Sequence, residues 1–205
     1  MKIYHGKLAD GTYIHNNEAE MGIREMLERI GFSTFTTNEP GVKNALQDYG
    51  VERFCVEQKI TKHSDGFNLE LYHDEKCTRP SAFSLCRAQL TLIIQHGKST
   101  KHGPVWKVRM FRTRDLLAAA NPDFKDGDLR SRLPVIESWG AYSIHIKAWV
   151  IPHVWFGDIV RHDDNIIDTD SFIPNPDVRK EFDHWFSEDM MLLPSEEYYN
   201  KYGTY

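Results

Sequence analysis

The chain has 205 residues, of which 40% are hydrophobic and 27% are charged, the composition of a globular protein and not of a disordered one. The formal net charge of −5 argues against a protein that coats nucleic acid through its phosphates, because such proteins are usually basic. Three cysteines without a CxxC pair, no apolar leader and no apolar run of about 18 residues predict a reduced, cytoplasmic protein without a membrane span.

The N-terminal part of the chain predicts a helix and then a short strand. Asn16 and Asn17 are good capping residues, and apolar residues follow them at helical spacing as far as Ile30. Gly31 stands where the end of a helix needs a left-handed conformation. Residues 32–37 then alternate aromatic with small polar side chains, as a strand does.

Strands dominate the middle of the chain. Alternating patterns predict strands at residues 51–60, 67–72, 90–95, 105–111 and 142–151. Two short helices are predicted at residues 81–88 and 113–120, and Thr113 can cap the second of them. This order of elements predicts an α/β fold with a central mixed β-sheet flanked by helices.

The composition changes near residue 171. Prolines, aromatic residues and acidic residues follow one another from there, with one short helix predicted at residues 178–186. We therefore expect one domain over residues 1–170 and a C-terminal extension over residues 171–205.

The strand at residues 51–60 carries two opposite charges on one face. Side chains alternate across a strand, so Cys55, Glu57 and Lys59 share one face while Phe54 and Val56 share the other. The apolar face is expected to pack on a helix. Burying a carboxylate and an ammonium without a purpose would be costly; the alternative is a solvated ion pair on an exposed face of the sheet.

Hydrolysis of a phosphodiester bond is a reaction that would use both members of this pair. Mg²⁺ prefers oxygen ligands, usually one or two carboxylates together with water and substrate phosphate, and it lowers the pKa of a bound water. A nearby lysine can orient that water or stabilise developing negative charge. Asp48, upstream of the strand, is the candidate second carboxylate, and Glu20 in the first helix is a third.

A Glu on the first helix, then an Asp, then Glu-x-Lys on the following strand is a pattern through which the chain resembles the PD-(D/E)XK nuclease superfamily. The matching residues are Glu20, Asp48, Glu57 and Lys59, and the resemblance covers roughly residues 15–120. It implies a restriction-endonuclease-like core, with Mg²⁺ or Mn²⁺ held by Asp48 and Glu57. Lys59 would then position the attacking water or stabilise the transition state, and Glu20 would assist through a metal-bound water.

Two details refine the resemblance. Gln47, where many members have proline, precedes Asp48. The segment from Gly66 to Glu70 is similar to a variant found in phage-type members, except that Phe67 is inserted. Glu70, which shares a strand face with Asn68 and Tyr72, is a possible additional metal ligand if its strand neighbours that of Glu57. The resemblance adds Gln89, at the start of the next strand, as a polar residue near the site, and the alternative is a strand-start glutamine without a role.

The resemblance implies an endo- or exodeoxyribonuclease whose partner is DNA, working as a homodimer in a bacterial or phage-infected host cytosol. One alternative is a non-catalytic phage or bacterial accessory or assembly protein that keeps the nuclease fold. The acidic net charge favours this alternative. A second alternative is a metal-dependent hydrolase with another substrate.

Basic residues cluster around the predicted strand pair at residues 90–111. Those expected to contact DNA are Lys98, Lys101, Lys107 and Arg109, and Arg112 and Arg114 extend the cluster. The alternative is a solvated hairpin with no ligand.

Histidines suggest a different metal site. His145, His153 and His162, with Asp163 and Asp164, carry ligand types that metals bind. No HxH or HxxxH pair supports that interpretation, so hydrogen-bonded or solvated histidines are expected instead.

Overall fold

The computed structural model describes residues 1–4, 17–36, 49–72, 88–120, 135–138, 141–146 and 151–192. The helices of this part are α1 (Asn17–Arg29), α2 (Thr113–Ala120), α3 (Val178–Trp185) and α4 (Glu188–Leu192). Its strands are β1 (Lys2–Tyr4), β2 (Thr34–Phe35), β3 (Tyr49–Val51), β4 (Phe54–Thr61), β5 (Phe67–Tyr72), β6 (Leu90–Ser99), β7 (Gly103–Arg112), β8 (Val135–Ser138), β9 (Ala141–Ile146), β10 (Val154–Val160), β11 (Ile166–Asp168) and β12 (Phe172–Pro174). In the described part of the chain, every helix is too short or too polar to cross a membrane.

A seven-stranded sheet with the order β12-β10-β7-β6-β4-β3-β2 forms the centre of the molecule. Its neighbouring strands are antiparallel except for β4 and β6, which run parallel. The predicted α/β fold with a mixed sheet is confirmed. Because parallel neighbours need a crossover connection, the segment between β4 and β6 leaves the sheet, and it contains β5.

One face of this sheet, which we call the first face, packs against α1 and α3. Ile23, Met26 and Leu27 of α1 lie in one buried cluster with Val56 of β4 and Leu92 of β6. Each of the three α1 side chains is fully buried. The predicted apolar stripe of the first helix and the predicted apolar face of β4 are therefore confirmed, since they pack on each other.

The opposite face, which we call the second face, has its own buried cluster. Phe67 and Leu69 of β5 pack there with Ile93 of β6, Phe111 of β7 and Leu116 of α2. Strand β5 belongs to a separate three-stranded sheet with the order β5-β9-β8. The central sheet is thus covered on both sides. Helices cover the first face, as predicted, whereas the small sheet and α2 cover the second face.

The segment predicted as a C-terminal extension contributes to the core. Strand β12 is an edge strand of the central sheet, paired with β10. Phe182 of α3 lies with its ring centroid 5.0 Å from that of Phe32 and 6.1 Å from that of Phe54. Apolar side chains of this segment, the last of them Phe186, are buried in the first-face cluster. The segment up to Phe186 therefore packs on the residues that precede it in the chain.

Some predicted boundaries differ from the observed ones. The strand predicted at residues 51–60 is divided by a turn at Glu52, whose φ of 54° is left-handed. The β6–β7 hairpin is longer than predicted, because residues 96–99 and 103–104 also pair. The described part of the predicted strand 142–151 lies in β9 as far as Ile146. Residues 147–150 lie outside the described part, as do residues 81–87 of a predicted helix.

Strand β10 was not predicted from the sequence. Its register shifts between Trp155 and Gly157, whose φ is 145°. A bulge of this kind inserts one residue and breaks the alternation of inward and outward side chains. The period-2 signal was therefore absent from a strand whose other residues are mostly buried.

Candidate active site and an adjacent basic cavity

Glu57 and Lys59 form an ion pair on the second face of β4. Lys59 Nζ lies 2.7 Å from Glu57 Oε1, which agrees with the prediction that the two side chains share a face. The Glu57 side chain is 9% exposed and that of Lys59 is 41% exposed. The carboxylate is therefore buried while the ammonium reaches solvent, so the pair is not the fully solvated one of the alternative interpretation.

The next strand places a buried hydroxyl beside this pair. Thr91 of β6 is in register with Glu57 and is fully buried. Its Oγ1 lies 2.9 Å from Oγ1 of Thr113, the first residue of α2. Since each hydroxyl can donate one hydrogen bond and accept others, these two satisfy each other at the start of α2.

Asp48, the predicted second metal ligand, lies outside the described residues. Its sequence neighbour Tyr49 is described and pairs in β3 with Val56, the sequence neighbour of Glu57. The Tyr49 hydroxyl donates a hydrogen bond of 2.9 Å to Gln58 Oε1 on the first face. The metal role of Asp48 stays a prediction.

Glu20 lies in the layer that covers the first face. It is a half-buried residue of α1, and α1 packs on the face to which Val56 points. Glu57, one residue further along β4, points to the second face. The two predicted acids thus belong to opposite sides of the central sheet, and an assisting role of Glu20 stays a prediction.

The two additional candidates have other neighbours. Strand β5 pairs with β9 and not with β4, and Glu70 is in register with Ser143, so the condition under which Glu70 would lie beside Glu57 is not met. Gln89 Oε1 accepts a hydrogen bond of 2.8 Å from the backbone N–H of Cys55. Gln89 therefore ties the start of β6 to the start of β4.

The metal-ligand side chains of the described part do not form a cluster. In residues 1–4, 17–36 and the later described ranges, no three His, Cys, Asp or Glu side chains group as a metal site requires. Of the two predicted metal ligands, Glu57 is the one that this part contains. The cysteine Cys55 is a free thiol, as predicted, and burial raises its pKa; Cys77 and Cys86 lie outside the described residues.

A cavity with a basic lining opens at the end of β4. Strand β4 ends at Thr61, whereas its neighbour β6 continues to Ser99. The cavity has a volume of about 340 Å³. Five basic residues line it: Lys62, Lys98, Lys107, Arg109 and Arg161.

Three of the four residues predicted to contact DNA thus lie together. The fourth, Lys101, is an exposed residue of the β6–β7 turn and does not line the cavity. Sequence reasoning missed Lys62 and Arg161, which come from segments far from the hairpin. The signal that could have found Lys62 is its position directly after the Glu57–Lys59 strand.

Few carboxylates oppose these five cations. Lys107 Nζ lies 3.8 Å from Asp158 Oδ1, and Arg161 Nη1 lies 3.1 Å from Oδ1 of the exposed Asp164. Arg109 donates a hydrogen bond of 2.8 Å to the neutral Gln95 Oε1. Over the described residues, positive charge around the cavity therefore exceeds negative charge.

His96 also lines the cavity, and sequence reasoning did not select it. The residue is 9% exposed, and its ring centroid lies 4.3 Å from that of Trp106. Within the described part of the chain, its Nε2 is buried without a hydrogen-bond partner. Burial lowers the pKa of His96, and the positive charges of Arg161 and Lys62 lower it further while Asp164 opposes them, so the ring is neutral at pH 7.

The histidines that had suggested a metal site are hydrogen-bonded or solvated, as expected. His145 Nδ1 lies 2.9 Å from Asn68 Oδ1, and His153 Nδ1 lies 2.8 Å from the carbonyl oxygen of Ile151. His162 is exposed.

Two polar features of the central sheet therefore stand out among its buried apolar residues, the Glu57–Lys59 pair and the basic cavity. The pair lies on β4, and the cavity, which several segments line, opens where β4 ends. Comparison of the chain with known protein families, with curated proteins and with solved structures gave no significant match.

Proposed function

We propose that the chain is a metal-dependent nuclease of the PD-(D/E)XK type that hydrolyses DNA phosphodiester bonds with Mg²⁺ or Mn²⁺. The observation that carries the proposal is the buried carboxylate of Glu57, 2.7 Å from the Lys59 ammonium, on a central strand that ends at a basic cavity. A carboxylate for a metal, an amine for the reacting water and cations for the phosphates are the groups that this reaction uses.

The spacing of the two features supports the proposal. Lys59 is in register with Ile93 of β6, and Ile93 is in register with Arg109 of β7. Adjacent strands lie about 4.8 Å apart, so the backbones at Lys59 and Arg109 are about 10 Å apart. Both side chains belong to the second face, and one polynucleotide strand can contact both.

The order of elements supports the same family. Helix α1 comes first, Glu-x-Lys stands on β4 of a mixed sheet, and the β6–β7 pair leads into α2. These are the elements that the resemblance implies between roughly residues 15 and 120. A restriction-endonuclease-like core is accordingly part of the proposal.

In this proposal Asp48 and Glu57 would hold the divalent ion, whose chemistry would be to lower the pKa of a bound water. Lys59 Nζ already lies beside the Glu57 carboxylate and orients the water or stabilises charge on the phosphorane. Glu20 lies in the layer that covers the opposite face of the sheet, and no role at this site is assigned to it. The partial burial of the pair strengthens its electrostatic effect, because charges interact more strongly away from bulk water.

The test is cleavage of single-stranded and double-stranded DNA, linear and circular, with Mg²⁺ or Mn²⁺. We expect the wild type to cut, and we expect Glu57→Gln and Lys59→Ala each to lower the rate by roughly 10²-fold or more. Lys180→Ala, which changes an exposed lysine of α3, should cut at the wild-type rate. Equal products at equal rates from the wild type and Lys59→Ala would rule the proposal out.

A non-catalytic accessory protein is the second candidate, and one observation favours it. Glu57 already has a cation as its partner, and the net charge of the chain is −5. Titration with Mn²⁺ in a calorimeter separates the two candidates. Heat that disappears in Asp48→Asn and Glu57→Gln supports the nuclease, and no heat that depends on these residues supports the accessory protein.

A further inference from the structure

We propose that the basic cavity at the end of β4 is a binding site for a phosphate group. The proposal deepens the function proposed above and rests on it for the source of the phosphate, a polynucleotide, whereas the site itself is argued from the residues that line the cavity. A free nucleotide carries the same chemistry and is separated from a polynucleotide by the experiment below.

The backbone around the cavity is shaped to bring Lys107 into it. A Cβ atom at Gly97 of β6 would lie 2.8 Å from Lys107 Cδ and from Lys107 Cε, closer than real Cβ contacts. The absence of a side chain at Gly97 therefore leaves room for the Lys107 stem beside β6. Lys107 lines the cavity, and its ammonium lies 3.8 Å from Asp158 Oδ1.

The charges favour an anion with more than one negative charge. Five cations line one cavity, and their carboxylate partners over the described ranges are Asp158 and the 68% exposed Asp164. Solvent screens an exposed partner such as Asp164 strongly. Bringing like charges together is unfavourable without a counter-ion, and a bound anion would relieve that repulsion.

His96 forms part of the wall of the cavity. Its ring packs on Trp106, with the two ring centroids 4.3 Å apart, and its Nε2 is buried without a hydrogen-bond partner in the described part of the chain. Because this nitrogen is closed off from solvent, a ligand in the cavity is held by the cations and not by Nε2.

The volume and the donors select phosphate over a carboxylate. About 340 Å³ is at the lower end of small-molecule sites. Arg109 and Arg161 present planar forks of N–H donors that match phosphate oxygens, and charge-assisted bonds of this type are strong. A single carboxylate has two oxygens and one charge, and it would leave most of the five cations without a partner.

The experiment measures binding without metal, so that it does not depend on cleavage. The full-length protein in EDTA is titrated by calorimetry with inorganic phosphate, with a deoxynucleoside 5′-monophosphate and with a short single-stranded oligonucleotide. We expect all three to bind. The double variant Lys62→Gln/Lys98→Gln should bind each about tenfold more weakly or worse, because two charge-assisted contacts are lost. Both lysines are exposed, and circular dichroism checks that this variant is folded.

The matched control is Lys2→Gln/Lys180→Gln, which removes two exposed lysines outside the cavity and changes the net charge equally. It should bind as the wild type does. The proposal is overturned if none of the three titrants binds the wild type, or if both double variants weaken binding equally.

The three titrants also identify the source of the phosphate. Oligonucleotide binding that is tighter than mononucleotide binding and sensitive to Lys62→Gln/Lys98→Gln supports a polynucleotide. Equal affinities for the two support a free nucleotide. Glu57→Gln should keep phosphate binding in EDTA, so failure of the nuclease proposal and failure of the phosphate site give different results.

Discussion

At the scale of single residues, burial distinguishes basic side chains that look alike in the sequence. Arg112 had been grouped with the basic residues around the hairpin, but its side chain is 1% exposed and pairs with Asp115, which is fully buried. Nε and Nη2 donate to the two carboxylate oxygens at 2.6 Å and 2.9 Å. Arg114 donates to the carbonyl oxygen of Met191. Arg112 therefore belongs to the folded core and not to a surface for DNA.

This buried pair makes a prediction about stability. Asp115→Ala leaves the Arg112 guanidinium buried without its carboxylate, and we expect the free energy of unfolding to fall by about 3–5 kcal/mol. The control is Asp183→Ala, which breaks the exposed pair with Arg179 and should cost about 0.5 kcal/mol or less. Urea denaturation monitored by circular dichroism measures both. Equal effects of the two substitutions would contradict the burial of the Arg112–Asp115 pair.

His153 makes a prediction about pH. Its carbonyl partner at Ile151 can only accept, so Nδ1 carries the proton of the neutral ring. Burial lowers the pKa of His153 from 6.5 to about 4, and Arg109 and Lys107 lower it as well, while the hydrogen bond to Ile151 opposes them. The unfolded chain therefore binds this proton more readily than the folded protein does between pH 6.5 and 4.

Stability should accordingly be highest above pH 6.5 and fall as the pH drops towards 4. The loss due to His153 is on the order of 2–3 kcal/mol. Unfolding free energies at pH 7 and pH 5 should differ less in His153→Gln than in the wild type. His162→Gln, which changes an exposed histidine, should keep the wild-type difference. If the unfolding free energy of His153→Gln changed between pH 7 and pH 5 as much as that of the wild type, His153 would not be the titrating group.

At the scale of elements, the sequence predicted the helices and strands whose apolar side chains recur at one regular spacing. The apolar stripe of α1 and the alternation of β4 were both predicted, because each has one apolar face that packs in the core and one face that carries polar residues. The bulge in β10 and the left-handed turn at Glu52 break such a period. Glu52 is held there by Arg179, whose Nη1 lies 2.6 Å from Glu52 Oε1, a contact between residues far apart in sequence.

Helix α3 makes a prediction for an element that the sequence suggested to be part of an extension. Phe182 is 2% exposed and packs on Phe32, Phe54 and Phe156. We expect Phe182→Ala to lower the free energy of unfolding by about 3–5 kcal/mol. Lys180→Ala on the exposed side of α3 should change it by about 0.5 kcal/mol or less. An unaltered stability of Phe182→Ala would show that the domain is independent of this helix.

At the scale of the whole molecule, charge is unevenly distributed. The net charge is −5, and yet five cations line one cavity. An acidic protein repels a polyanion in general, so binding is expected to be confined to this place. That differs from a basic groove, which would neutralise many phosphates along a strand.

Salt dependence tests this distribution. Each phosphate that is neutralised in a single strand contributes a slope of about −0.7 to the logarithm of affinity against the logarithm of salt concentration. A cavity that holds one or two phosphates predicts an oligonucleotide slope between about −0.7 and −1.4. Titrations between about 50 and 200 mM salt measure it. A slope several times steeper would indicate an extended basic surface.

The sequence by itself determined the class of fold, the faces of α1 and β4 and the shared side of Glu57 and Lys59, because these follow from local periodicity. It also indicated basic residues near the β6–β7 hairpin. Only the tertiary structure decided which of them meet. Lys62 and Arg161 directly follow the ends of β4 and β10, and His96 lies within β6. Arg112 is buried through its ion pair with Asp115. Burial and the convergence of distant segments depend on how the strands are ordered, and no local pattern encodes that order.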